Sequence, residues 1–86
     1  MELTINNVRK VLLQFSEAKE DAEHLSDEEL LAKDLRRDFL MDMVAIDLLL
    51  KQLDVPESDR HGIAAGLFWG DSSVSDLLEL VNEPED

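Results

Sequence analysis

The middle of the chain carries a long apolar stretch that restricts the possible folds more than any other feature. Residues 38–53 contain neither glycine nor proline. Apolar side chains recur there at the alternating three- and four-residue spacing of an α-helix. This set consists of Phe39, Met43, Ile46, Leu50 and Leu53. A second set, which widens the apolar arc, consists of Leu40, Val44, Ala45, Leu48 and Leu49. The pattern therefore predicts a central helix over residues 38–53 that packs against neighbours on more than one side.

Signals at both ends of this stretch are consistent with a helix. Asp38 suits the positive N-terminal end of a helix dipole, and Lys51 suits the negative C-terminal end. Pro56 follows shortly afterwards, and the residue before a proline avoids the helical conformation. The central helix is therefore expected to end just before Pro56.

The N-terminal part of the chain predicts one helix followed by a long loop. Apolar residues from Ile5 to Phe15 follow helical spacing, and Thr4 precedes them as a capping residue. This predicts a helix over residues 4–16. In the polar stretch that follows, Ser26 and Glu29 have the spacing of a capping box for a short helical turn. Leu35 is expected to anchor the rest of the loop to the core.

The C-terminal part predicts a short helix and a final amphipathic helix. After Pro56 the chain is rich in glycine and alanine, which predicts a short, closely packed helix ending at Gly70 in a left-handed C-cap. Trp69 is expected to pack in the core or at a helix corner. Ser73 or Ser72 is expected to cap the last helix. Together these segments predict an all-α fold: one domain over residues 1–86, forming a small four-helix bundle of three longer helices and one short helix.

Charge and composition restrict the classes of partner. Twenty-one acidic residues outnumber eight basic ones, giving a net charge of −13. This charge argues against nucleic acid and anionic membranes as partners and favours the basic surface of another protein. The absence of cysteine excludes disulfides and thiolate chemistry. The N-terminal sequence lacks the features of a signal peptide, so we expect a cytoplasmic, monomeric protein with no membrane span.

The order of these segments resembles that of the acyl carrier protein family, over nearly the whole chain. Residues 34–40 read DLRRDFL, where the family has its DLG-x-DSL motif. The positions that match are Asp34, Leu35, Asp38 and Leu40. The first helix, TINNVRKVLLQF, and the last, SVSDLLELV, also resemble the corresponding family helices. The resemblance implies a helical carrier fold.

The chain departs from the family at the residue that carries the prosthetic group. Phe39 stands where the family has the serine whose hydroxyl is esterified with phosphopantetheine. Phenylalanine has no nucleophilic oxygen, so no cofactor is expected at this position. Ser72 also follows an aspartate at a helix start and is a weaker candidate for attachment, although an ordinary capping role suits it better. Phosphopantetheine is expected only if such an atypical serine is used.

The start of the central helix is also the region through which the family docks basic partner enzymes. The resemblance implies that a synthase or an acyltransferase would bind here. The candidate partner-binding residues are Asp38, Phe39, Leu40, Met41, Asp42 and Asp47. Phe39 has two open interpretations: a core residue, or an exposed apolar knob. The acidic residues are interpreted as a solvated face and not as a metal site, and the nearby cations Lys33, Arg36 and Arg37 as neutralising neighbours.

Three functions remain open on sequence grounds. The first is a carrier-like domain without the arm, acting as an acidic protein-docking module. The second is a working acyl carrier for fatty-acid or polyketide-type synthesis that uses an atypical serine. The third is an acidic inhibitor or antitoxin-like helical protein that mimics nucleic acid. An enzyme is not expected, because the sequence shows no nucleophile–base pair, phosphate loop or metal-ligand set.

Overall fold

A computed structural model describes residues 2–82 and shows an all-α fold, as the sequence predicts. The described chain forms six helices where the sequence predicts four. In chain order they are α1 (Ile5–Leu12), α2 (Lys19–His24), α3 (Asp27–Leu31), α4 (Met43–Gln52), α5 (Glu57–Trp69) and α6 (Val74–Asn82). Within residues 2–82 the extended pairing is limited to one isolated antiparallel bridge between Asp34 and Ser73. None of the helices in this range is long and apolar enough to cross a membrane.

Capping side chains set the starts of α1 and α3. Thr4 accepts a hydrogen bond from the Asn7 N–H and caps α1, as predicted. The helix ends at Leu12, earlier than the expected residue 16, because the chain turns toward α2. Ser26 and Glu29 form the predicted capping box at α3. The segment expected to be mostly loop therefore contains two short helices.

The central helix begins at Met43, five residues later than predicted. The Asp42 carboxylate accepts a hydrogen bond from the Ala45 N–H at 2.8 Å and is the N-cap, so Asp38, expected at the N-terminal end of the helix, lies in the preceding turn. Residues 35–38 form a turn and residues 39–41 are irregular, where the sequence predicts the start of the helix. The helix ends at Gln52, before Pro56 as expected, and Asp54 adopts a left-handed backbone (φ 62°) where the chain reverses.

The helix after Pro56 is not short. With 13 residues, α5 is the longest helix of the described chain, so the prediction from its small residues was wrong. It ends at Gly70, but with an extended backbone (φ −113°) instead of the expected left-handed one. A side-chain carbon at Gly70 would lie 2.9 Å from the carbonyl oxygen of Gly66, so the close approach of the backbone explains the glycine. Trp69, expected to be packed, is 79% exposed.

The helices enclose a single apolar core. Helices α4 and α5 pack together as a helical hairpin, α1 lies against α2 and α4, and α6 contacts α5 and α3. The most completely buried large side chains are Phe39, Leu12, Leu30, Leu35, Ile46, Leu49, Leu50, Leu67 and Leu77. Leu35 is thus the core anchor that the sequence predicts. Burial of these side chains is the main stabilising contribution to the fold.

Two polar side chains join distant parts of the chain. The Arg9 guanidinium of α1 donates hydrogen bonds to the carbonyl oxygens of Ala22 (2.7 Å) and Leu25 (2.8 Å) and pairs with Asp27 (2.7 Å). It therefore fixes α1 to the end of α2 and the start of α3. The Asn82 side chain, at the end of α6, exchanges two hydrogen bonds with the backbone of Leu3, at 2.6 and 2.8 Å.

Candidate docking surface

The turn that precedes α4 is organised by the carboxylate of Asp34. One carboxylate oxygen accepts hydrogen bonds from the N–H groups of Arg36 and Arg37, both at 2.9 Å, and from the Ser72 hydroxyl at 2.8 Å. The backbone adds two bonds across the same seam: the Leu35 N–H donates to the Ser72 carbonyl oxygen, and the Val74 N–H donates to the Lys33 carbonyl oxygen. The turn is thereby attached to the segment that enters α6.

These hydrogen bonds also determine the acidity of Asp34. Partial burial of the carboxylate acts to raise its pKa, because it disfavours the charged form. The hydrogen bonds from Arg37, Ser72 and Arg36 favour the charged form and outweigh burial, so the pKa of Asp34 lies below its ordinary value. Asp34 is therefore a structural carboxylate that stays ionised near neutral pH.

Ser72, the weaker candidate for attachment of a prosthetic group, is a buried side chain. It is 3% exposed, and its hydroxyl donates to Asp34. Capping of α6 is done by Ser73, whose hydroxyl accepts from the Asp76 N–H at 3.1 Å and donates to the Asp76 carboxylate at 2.7 Å. Of the two serines proposed as caps, Ser73 has that role.

Phe39 belongs to the core. It is 1% exposed, which favours the first of its two interpretations over an exposed knob. Met41 is also buried, whereas Leu40 between them is 76% exposed. Leu40 has a left-handed backbone (φ 53°) between these two inward-pointing neighbours. Two of the six candidate partner-binding residues, Phe39 and Met41, are therefore not accessible.

Leu40 is the first of three exposed apolar residues at four-residue intervals. Val44 is 76% exposed and Leu48 is 44% exposed. Val44 and Leu48 lie one turn apart on the same face of α4, because residues four apart on a helix are neighbours. We call Leu40, Val44 and Leu48 the apolar strip. The sequence pattern had assigned Val44 and Leu48 to a buried arc, which was wrong.

The candidate acidic residues accompany the apolar strip and also have structural roles. The Asp38 carboxylate accepts a hydrogen bond from the Asp34 N–H at 3.0 Å. Asp42 caps α4, and Asp47 pairs with Arg60 of α5 at 3.1 Å. Within residues 2–82 there is no group of three side chains suited to hold a metal ion.

The three nearby cations do not form one positive patch. The Arg36 guanidinium donates to the carbonyl oxygen of Phe68 and lies 4.8 Å from the centroid of the Phe68 ring. Lys33 lies 3.7 Å from the Asp21 carboxylate, whereas Arg37 is largely exposed. Arg36 thus joins the turn to the end of α5, a role that its sequence context did not reveal.

Comparison with known proteins identifies no relative: no protein-family model, curated protein or solved structure matches the chain.

Proposed function

We propose that this protein is an acidic protein-docking module, similar to an acyl carrier protein but without the phosphopantetheine arm, which binds a basic partner surface through the apolar strip. The observation that carries the proposal is the exposure of Leu40, Val44 and Leu48 in a chain of net charge −13. Folding gains little from apolar side chains that remain in water, and exposed apolar neighbours such as Val44 and Leu48 are typical of interaction surfaces.

The charge of the chain supports a cationic partner. The acidic residues Asp38, Asp42 and Asp47 accompany the apolar strip along the chain. A partner with lysine or arginine around an apolar patch would be attracted over long range and would then bury the strip. The resemblance to the carrier family implies a synthase or acyltransferase surface as the kind of partner.

The surroundings of Phe39 and Ser72 support the absence of a phosphopantetheine arm. Phe39 is buried and has no hydroxyl. The Ser72 hydroxyl is buried and hydrogen-bonded to Asp34, so a modifying enzyme would have to open the seam between the turn and α6 to reach it. An acyl chain is sheltered best by an enclosed apolar cavity, and the cleft between α5 and α6 is open and partly acidic. This cleft of about 630 Å³ has three carboxylates among its lining residues Gly66, Asp71, Asp76, Glu79, Leu80 and Asn82.

The first test measures modification directly. The chain is co-expressed with a phosphopantetheinyl transferase, and its intact mass is compared with that of a known acyl carrier protein expressed in the same way. We expect the control to gain the mass of the arm and this chain to remain unmodified. A gain of one arm, mapped to any serine, would overturn the proposal in favour of a working carrier.

The second test measures docking with a defined cationic probe. The probe is a synthetic leucine–lysine peptide designed as an amphipathic helix, and the control peptide has the same composition with its leucines distributed over all faces. We expect the amphipathic peptide to bind more tightly and to change the NMR chemical shifts of residues in and around α4. Its affinity should fall as the salt concentration rises. Equal binding of the two peptides would mean that only net charge is recognised, which would contradict a docking surface.

A further inference from the structure

Two non-glycine residues in residues 2–82 have a left-handed backbone, and they differ in how well they suit it. They are Leu40 (φ 53°) and Asp54 (φ 62°). Aspartate is among the residues that adopt this conformation with less strain, because its short polar side chain can hydrogen-bond locally. Leucine has no such compensation, so the backbone of Leu40 opposes the stability of the fold.

The side chain of Leu40 does not offset this strain by burial. It is 76% exposed, whereas Phe39 and Met41 on either side are buried. The left-handed backbone belongs to the path of the chain before α4, with both neighbours pointing into the core. Glycine or asparagine would satisfy the same backbone with less strain. Folding therefore requires the conformation at position 40 but not the leucine side chain.

A binding role accounts for a side chain that folding does not require. Because the net charge of the chain is −13, two copies repel each other, and a second copy is a poor occupant of the apolar strip. A cationic partner has the complementary charge. Apolar side chains that fill a pocket at the centre of an interface commonly contribute most of its binding free energy.

We propose that Leu40 is the anchor of the docking surface, inserted into an apolar pocket of the partner that is bordered by lysine or arginine. Its left-handed backbone presents the side chain outward at the expense of stability. This inference rests on the proposed docking function and specifies which residue of the apolar strip dominates binding.

The test is a matched pair of variants, Leu40→Gly and Asp54→Gly, with Leu40→Asn as a second substitution at the anchor. Stability is measured by equilibrium unfolding in urea, and affinity for the amphipathic leucine–lysine peptide by calorimetry. We expect Leu40→Gly and Leu40→Asn to unfold at a higher urea concentration than the unmodified chain. Both are also expected to bind the peptide about tenfold more weakly or worse. Asp54→Gly is expected to keep the original affinity, because Asp54 lies at the opposite end of α4.

The possible results separate this inference from the proposed function. If the unmodified chain binds the peptide and both Leu40 variants bind equally well, Leu40 is not the anchor, although docking itself stands. If the Leu40 variants unfold more readily, the leucine serves folding and the inference is wrong. If the unmodified chain does not distinguish the amphipathic peptide from its control, the docking function itself is contradicted. Sedimentation that shows a dimer dissociated by Leu40→Gly would make a second copy the occupant and would also overturn the inference.

Discussion

The N-terminal helices α1–α3 and the helical hairpin α4–α5 use their apolar side chains differently. In α1–α3 and their connections, every large apolar side chain is at least partly buried. The four exposed large apolar side chains of the described chain all lie in the stretch from Leu40 to Trp69. Polar side chains join segments in both regions: Arg9 holds three segments of the N-terminal region together, and Arg60 pairs with Asp47 across the hairpin.

This difference distinguishes side chains that stabilise the fold from side chains that remain exposed for binding. The N-terminal region commits its apolar and polar groups to the interior and to the joints between short helices. The hairpin buries one side of α4 through Ile46, Leu49 and Leu50, and the apolar strip, which begins at Leu40 just before the hairpin, stays in solvent. Substitutions in the first region should therefore lower stability, whereas those in the strip should change binding instead.

The largest expected effect is at the border between the two regions. Phe39→Ser replaces a fully buried ring by a small polar side chain, and we expect a loss of about 3–5 kcal/mol in the free energy of unfolding. Leu40→Ser, its exposed neighbour, is the matched control and should lose little or none. Equilibrium denaturation measures both. If the two variants were equally stable, burial would not distinguish Phe39 from Leu40, and the comparison would fail.

The next largest effect is expected for the hydrogen bonds of Arg9, which hold the N-terminal helices together. Arg9→Ala leaves the carbonyl oxygens of Ala22 and Leu25 without their donor, and we expect a loss of about 2–3 kcal/mol. Amide exchange near the end of α2 should increase as well. Lys10→Ala removes an exposed cation beside it and should change stability by less than about 0.5 kcal/mol. Equal losses in both variants would indicate that the positive charge of α1 matters and that the individual hydrogen bonds do not.

The smallest effect concerns the seam between the turn and α6. The pKa of Asp34 is lower in the folded chain than in the unfolded one, so its ionised form contributes stability above the unfolded pKa. That contribution disappears as the pH falls through the folded pKa. Asp34→Asn should cost about 1 kcal/mol near neutral pH, and the difference from the unmodified chain should shrink below about pH 4.

Denaturation curves of both proteins from neutral pH to about pH 2 measure this difference directly. The subtraction removes the general effect of protonating the other acidic residues, which by itself relieves charge repulsion in an acidic chain. A difference that is constant over this range would show that the charge of Asp34 does not stabilise the seam.

Local sequence signals predicted the parts of the fold that depend on neighbouring residues. The caps at Thr4, Ser26 and Ser73 were predictable because each involves a partner three residues later. The start of α4 was not, since Asp38 and Asp42 are both suitable caps and helical periodicity extends over each of them. The choice depends on long-range bonds between the turn and Ser72, which the local sequence does not show.

The candidate site was predictable only in its location. The sequence pointed to the segment from Asp38 to Asp47, and Leu40 within it is exposed. Val44 and Leu48 were missed because helical spacing does not show which apolar side chains find a neighbour. A chain of 86 residues forms too few helices to cover both sides of α4, so its length could have predicted that one apolar side stays exposed.

The pairing of Asn82 with Leu3 has a practical consequence for engineering. Because the backbone at residue 3 and the side chain at residue 82 are hydrogen-bonded, the two ends of the described chain lie side by side. Such a module could be inserted into a surface loop of a host protein with little separation between the joined strands of polypeptide. Conversely, joining the two ends through a short linker would allow new termini to be opened in an exposed connection elsewhere.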